Sequence, residues 1–328
     1  MEGRESETSR RVIDQGPGET IISETPLQET WRIFKNDRMG MVGLAVLILL
    51  FFAAIGGKVL TEWTVVFDPA TVRLVDKFSS PLSPASDLLP EGDLPKGGIY
   101  LLGTDELGRD VFARMLQGSF VSLTIGFVAA GISTFIGILL GGLAGFYGNL
   151  RLGFISVDTL IMRFTDVVLC IPTIFLILTV VALLPPSIYN IMIVIGATSW
   201  MGTARFVRAE FLALREQDFV VAATAMGLSE RRIIFLHMVP NALAPVLVSA
   251  TISVATAILT ESALSFLGFG VQPPFATWGN ILSDGKSYIF DAPWLFFIPG
   301  LAILIVVLAF NLVGEGMREA FNPKLRRH

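Results

Sequence analysis

The sequence predicts an all-α integral membrane protein with about six transmembrane helices. Three observations predict it. Of 328 residues, 53% are hydrophobic and only 16% are charged, with a mean hydropathy of +0.68; a soluble domain carries nearer a quarter of charged residues. The apolar residues fall in blocks, and two of these, 120–146 and 167–204, contain no Asp, Glu, Lys or Arg. The block lengths suit the roughly 20 helical residues that cross a hydrocarbon core. Helices must do the crossing, because lipid offers no partner to an open sheet edge.

Residues 1–38 form a polar tail of mixed charge whose first part reads as disordered. From Pro26 to Asp37, Leu27, Trp31 and Phe34 recur at helical spacing, which predicts an amphipathic helix on the membrane surface. A secretory signal is the competing reading, but the lead is too long and too acidic. The first span, 39–57, holds ten residues of the Leu, Ile, Phe and Val type. Together they favour insertion by about 3–6 kcal/mol. Residues 58–119 form a long extracytoplasmic loop rich in Pro, Asp and Ser, suited to a small cap or to a docking surface.

The second span is 120–146, where Gly137, Gly141 and Gly145 repeat every four residues and make a face for close helix packing. Leu184-Pro185-Pro186-Ser187 divides the next apolar block, since paired prolines cannot continue a helix. This gives a third span over 160–184 and a fourth over 188–204. Arg163 and Asp166, three apart, can pair on one helix face, as a structural pair or as part of a gate.

The fifth span, 242–267, carries Ser249, Ser253, Ala257, Glu261 and Ser265 at four-residue spacing. They share one small, polar face, which either packs on a neighbouring helix or lines an aqueous path. Glu261, expected near the outer end, tips the reading toward a path, because an ionised group deep in lipid costs about 2.5–3.5 kcal/mol. The sixth span is 294–313. Residues 120–314 thus form a five-helix core, and 315–328 a terminal tail.

Orientation follows from the basic residues. With the N-terminus inside, the inside segments hold 17 of the 24 Lys and Arg residues, and the short outside loops hold only Lys286. Both termini are expected in the cytoplasm. A single cysteine, Cys170, leaves no intrachain disulfide, and two histidines, His237 and His328, leave no expected metal site. Gly285-Lys286-Ser287 resembles the end of a phosphate-binding loop, but the first glycine of that motif would fall on Asn280. No HExxH or GxSxG pattern supports an intramembrane enzyme. No inverted repeat supports a stand-alone secondary transporter. Nucleic acid is not an expected partner.

The stretch 205–241 between the fourth and fifth spans carries the strongest functional signal. From Asp218 it reads as a short helix, a glycine stop at Gly227, then a second helix with Ser229 as its cap, ended by Pro240. The pattern Ala222-Ala223, Gly227, Val239-Pro240 resembles the EAA loop of binding-protein-dependent ABC importer permeases. The segment Leu102 to Phe112, with Thr104, Asp105, Gly108, Arg109 and Asp110, is similar to dipeptide/oligopeptide permeases of the C-subunit type. So is Leu259 to Pro274, followed by Trp278-Gly279-Asn280. Two positions depart from the pattern: Val221 stands where glutamate is usual, and His237 where isoleucine is usual. The first outside loop is also longer than usual.

The resemblance implies a type I ABC permease fold in a bacterial or archaeal plasma membrane. It implies a coupling helix that docks in a groove of a separate ATPase subunit, with Ala222, Ala223, Met226 and Leu228 in contact and Gly227 at the turn. It implies a second homologous permease, two ATPase subunits and an extracytoplasmic binding protein as partners. ATP and Mg would sit in the ATPase, with no cofactor on this chain. Peptides are the family's default cargo; related permeases carry nickel, glutathione or oligosaccharides. The segment around Thr104 and Asp105 could be a salt-bridged cap or help dock the binding protein.

Overall fold

Helix α1 (Pro26–Asn36) opens the structure, a computed structural model that describes residues 26–64 and 66–321. The polar lead up to residue 25 and the end of the tail, 322–328, lie outside the described residues. Helix α1 turns Phe34 inward and leaves Trp31 exposed, the two rings stacked at 5.8 Å. Asp37 then caps α2 (Arg38–Lys58), its carboxylate accepting from the Met39 and Gly40 amides at 3.1 and 3.0 Å. The helical path runs on as a π-helical turn to Trp63, and residues 66–110 fold as a cap of short turns and a ribbon, β1 (Ser83–Pro84) antiparallel to β2 (Ile99–Tyr100). Buried Asp76 anchors it, accepting from the Tyr100 hydroxyl at 2.7 Å and the Ser86 amide at 3.1 Å. Burial, then the hydrogen bond to Asp76, hold the Tyr100 hydroxyl well above its ordinary range.

Helix α3 (Val111–Phe146) is the central element, packed against α2 on one side and five later helices on others. It starts nine residues before the apolar run at 120. Its first turns carry buried Arg114 and Gln117 among apolar residues, and Asp110 caps them by accepting from the Phe112 amide at 2.8 Å. A two-stranded ribbon, β3 (Arg151–Leu152) with β4 (Ile155–Ser156), then leads to α4 (Val157–Leu169).

The block expected as the third span is not one straight helix. Helices α4 and α5 (Thr173–Leu183) meet at an 81° bend. Pro172 lacks the amide that would continue α4 and disfavours helical geometry at Ile171. The block expected as the fourth span is also divided, into α6 (Ile188–Ala197) and α7 (Met201–Arg215). Between them the Thr198 hydroxyl donates back to the Val194 carbonyl at 2.6 Å, one of the side-chain bonds that compete with the backbone ladder.

Then come α8 (Asp218–Ala225), the single turn α9 (Glu230–Arg232) and a π-helical stretch, Ile233–Met238, running into α10 (Val239–Phe266). Short α11 (Trp278–Gly285) and long α12 (Trp294–Ala320) complete the chain. Among the described residues, four helical stretches are long and apolar enough to cross a membrane, or five if the bent α4–α5 pair counts as one span. The remaining expected crossing, the fourth, falls on the short, divided α6–α7 segment.

Glycines bring α3 and α7 together: a Cβ at Gly141 would sit 2.4 Å from the Ala204 carbonyl oxygen, and one at Gly145 would sit 2.6 Å from Phe211 Cβ.

Candidate functional site

Three groups of residues marked in the sequence lie in three different places. The first is the loop at the far end of α3 from the cap. Helix α8 ends in a double reverse bond: the Leu228 amide donates to the Ala223 carbonyl (3.2 Å) and the Gly227 amide to that of Thr224 (3.0 Å). Gly227 sits at φ +74°, and a Cβ added there would meet nothing within 4 Å. This is the Schellman end of a helix, where glycine reaches the left-handed region without the steric cost other residues meet.

The α8 helix has two faces. Val220 and Ala223 are buried with Val207 and Phe211 of α7 and Met238, and Leu228 packs on the same cluster. Phe219, Val221, Ala222 and Met226 are exposed, Met226 at 72%. Of the four residues the family resemblance assigns to contact, the structure leaves Ala222 and Met226 free on the outer face and turns Ala223 and Leu228 inward. Ser229 stands at the N-cap position of α9 with extended backbone, but its hydroxyl makes no capping bond. Pro240 does not end the second helix, as the sequence reading expects: the helical path runs on from Glu230 to Phe266, and the proline falls where the π-helical stretch passes into α10, so its missing amide is absorbed by that local change of ladder.

The second group faces a cavity of about 260 Å³ between α3, α6, α7 and α10. Ser249, Ser253 and Ala257 line it from α10, Ser133 from α3, and Ser199 and Thr203 from the α6–α7 region. Sequence reading missed the last three. Ser133 stands beside Thr134 in an apolar run with no spacing that sets it apart, and the break that turns Ser199 inward carries no hydropathy signal.

Glu261 does not join that cavity. It is fully buried, with Ser265 Oγ donating to its Oε1 at 2.7 Å. A larger cavity, about 660 Å³, opens near the cap end between Lys58, Phe120, Tyr189 and Gln272, and is lined in part by Val271 to Pro274, the end of the family-like segment that begins at Leu259.

The third group is the segment before α3, which forms an ion-paired clamp. Asp105 is fully buried; its Oδ1 accepts from the Leu107 and Arg109 amides, both at 2.9 Å. Its Oδ2 meets Arg109 Nε at 2.7 Å and Arg114 Nη1 at 2.6 Å. Arg114 continues to Asp284 on α11 at 3.0 Å, so the clamp ties the cap to that helix. Burial pushes the Asp284 carboxyl above its ordinary range, and Arg114 opposes the shift. Gly108, at φ +69°, lies so close to the backbone of Arg73 that a Cβ would fall 1.8 Å from its carbonyl oxygen. Thr104 accepts from the Ser79 amide at 2.8 Å, and Asp110 is the α3 cap. Every marked residue of this segment therefore has a structural partner. Local spacing does not reveal Arg114 and Asp284 as members, because they lie 170 residues apart.

Residues 133–327 match the family described as binding-protein-dependent transport system inner membrane component. Residues 25–77 match the N-terminal TM domain of oligopeptide transport permease C. The dipeptide transport system permease protein DppC of Alkalihalophilus pseudofirmus is 36% identical over 310 residues, which cover 94% of each chain. The di/tripeptide transport system permease protein DppC of Pseudomonas aeruginosa is 39% identical over 308 residues, 94% of this chain and 95% of that one. A solved inward-facing structure of the MetNI methionine ABC transporter aligns with a TM-score of 0.49 at 20% identity, covering 63% of this chain and 96% of that one.

Proposed function

This chain belongs to the binding-protein-dependent transport system inner membrane components, the permease subunits of ABC importers, and from that membership we propose that it forms part of the route by which peptides enter the cell. The observation that carries the peptide reading is the similarity to peptide permeases along nearly the whole of both chains. The chain is a membrane transport component; ATP hydrolysis belongs to a separate subunit.

The working assembly is this chain, a second homologous permease, two ATPase subunits holding ATP and Mg, and an extracytoplasmic binding protein. Both termini and the α8 loop face the cytoplasm, and the cap faces outward. The exposed face of α8 (Phe219, Ala222, Met226) enters a groove of the ATPase, while Val220, Ala223 and Leu228 transmit its movement to α7 and α10. A rigid inner face and an apolar outer face are what a lever between two bodies requires. Closure of the ATPases shifts the permease pair between outward and inward access, a change of population between two states. The Ser249, Ser253 and Ala257 face lines the route. Glu261, being enclosed, holds the end of α10 in shape and does not touch cargo. The clamp from Thr104 to Asp110 supports the cap.

The test is reconstitution with these partners in proteoliposomes and measurement of ATP-dependent uptake of labelled di- and oligopeptides. Uptake is expected only with the binding protein and ATP present. Uptake of nickel, glutathione or an oligosaccharide in place of peptide overturns the cargo while keeping the architecture. Uptake without any ATPase overturns both and favours a secondary transporter.

A further inference from the structure

A charged cluster on the outer surface of α4 and α7 is explained neither by packing nor by the coupling loop. Asp166 Oδ1 meets Arg205 Nη2 at 2.5 Å, and Asp166 Oδ2 lies 4.0 Å from Arg163 Nη1. Their side chains are 44%, 51% and 79% exposed, in that order. Among the described residues, these two arginines share one ion-paired carboxylate, so the cluster keeps a net positive charge.

The cluster sits beside two breaks in the helices: Asp166 is three residues before the end of α4, next to the bend at Pro172, and Arg205 is four residues after the start of α7, next to the division at Thr198. Exposed charge is disfavoured against lipid, so this face meets water or protein.

Its position next to the cavity decides between these. Gly202, exposed on α7, is part of the cavity lining. Arg205 lies three residues on, on the same face and nearer the α7 C-terminus. Inside the cavity, Ser133 is 2% exposed and its Oγ has no hydrogen-bond partner among the described residues. A buried hydroxyl left unpaired in a cavity wall is a group awaiting a polar visitor.

We propose that the cavity and the Arg163–Asp166–Arg205 cluster form one station for a carboxylate-bearing cargo. Arg205 and Arg163 receive the carboxylate in the fork geometry guanidinium groups offer, and Ser133, Ser199 and Thr203 meet the remaining polar groups. In identifying that group as the free C-terminus of a peptide, the proposal rests on the peptide reading above.

The experiment measures the local field directly. In the assembled transporter with Cys170→Ser, Gly202→Cys places a thiol where an added Cβ meets nothing within 4 Å. Its reaction rates with an anionic sulfonatoethyl and a cationic trimethylammonioethyl thiosulfonate are compared, each normalised to a free thiol, at rest and trapped with an ATP analogue. The anionic reagent is expected to react faster by on the order of fivefold in at least one state. Arg205→Gln and Arg163→Gln should each diminish that preference. Equal rates for the two reagents at a reactive thiol overturn the proposal. So does a thiol unreactive in every state, combined with loss of the second permease from purified Arg205→Glu complexes; the cluster would then pair with an acid of that subunit. A second arm follows uptake of a peptide and its C-terminal amide, both at concentrations that saturate the binding protein. Arg205→Gln should slow the free acid about tenfold relative to the amide; equal slowing counts against the station. If the unaltered transporter moves neither form, the peptide reading falls while the reagent result still stands or falls by itself.

Discussion

Two glycines with nearly the same backbone conformation show how differently one residue type is used. Gly227 (φ +74°) and Gly108 (φ +69°) both occupy the left-handed region, where a side chain costs about 1–2 kcal/mol. Around Gly227 there is open space, so Gly227→Ala should cost that amount and no more. At Gly108 the same methyl would overlap the Arg73 carbonyl at 1.8 Å, and the cap would have to separate from the start of α3. Gly108→Ala should therefore destabilise by about 1–3 kcal/mol beyond the strain. Thermal unfolding in detergent compares them: Gly108→Ala is expected to melt well below Gly227→Ala, and equal melting points would refute the close-approach account. The stop after α8 is legible in sequence, because glycine following a helix is a local signal. The crowding at Gly108 is not, since it depends on a backbone 35 residues earlier.

At the scale of elements, hydropathy located the long helices but not their breaks. The four-residue glycine repeat of α3 was readable because its partner needs only to approach closely, and α7 does. The bend at Pro172 and the division at Thr198 were hidden inside apolar blocks, where mean hydropathy is blind to a missing amide or a hydroxyl turned back on its own helix. The early start of α3 was hidden because Arg114 interrupts the apolar run, and only the fold shows its charge met by Asp105 and Asp284 beneath the cap. The serine stripe of α10 was readable by its spacing, while the other walls of its cavity come from three separate segments. The two faces of α8 separate support from docking. Ala223→Leu adds three carbons to a site only 2% exposed and should destabilise by about 1–3 kcal/mol. Ala222→Glu lies on the exposed face and should leave stability within about 0.5 kcal/mol. It should nonetheless abolish ATP-driven uptake in a complex that still assembles, since a carboxylate would enter an apolar contact. Uptake at the normal rate in Ala222→Glu would remove the exposed face from coupling.

The whole molecule is built around α3, whose 36 residues span about 54 Å. At its first turn stands the Asp105–Arg109–Arg114–Asp284 clamp; near its last, Arg215 donates to the Phe146 carbonyl beside the α8 loop. The cap and the loop are therefore at opposite ends of a helix longer than a hydrocarbon core is thick, and a membrane around its middle must separate them. Which end faces the cytoplasm is a matter of charge: Lys and Arg are concentrated on the α8 side, and short loops at the cap end carry only Lys286. The consequence can be read with single cysteines in a Cys170→Ser background, because Cys170 is itself exposed and would report everywhere. Asp87 and Phe290 are exposed at the cap end, and Glu216 is exposed beside α8. In intact cells, an impermeant thiol reagent should label cysteines at positions 87 and 290 and leave position 216 untouched until the membrane is opened. The reverse pattern would invert the chain and place α8 out of reach of any ATP-bound partner, ending the coupling account whatever the cargo. Labelling at all three positions in sealed cells would mean that cap and loop share one side, which a helix of about 54 Å between them does not allow.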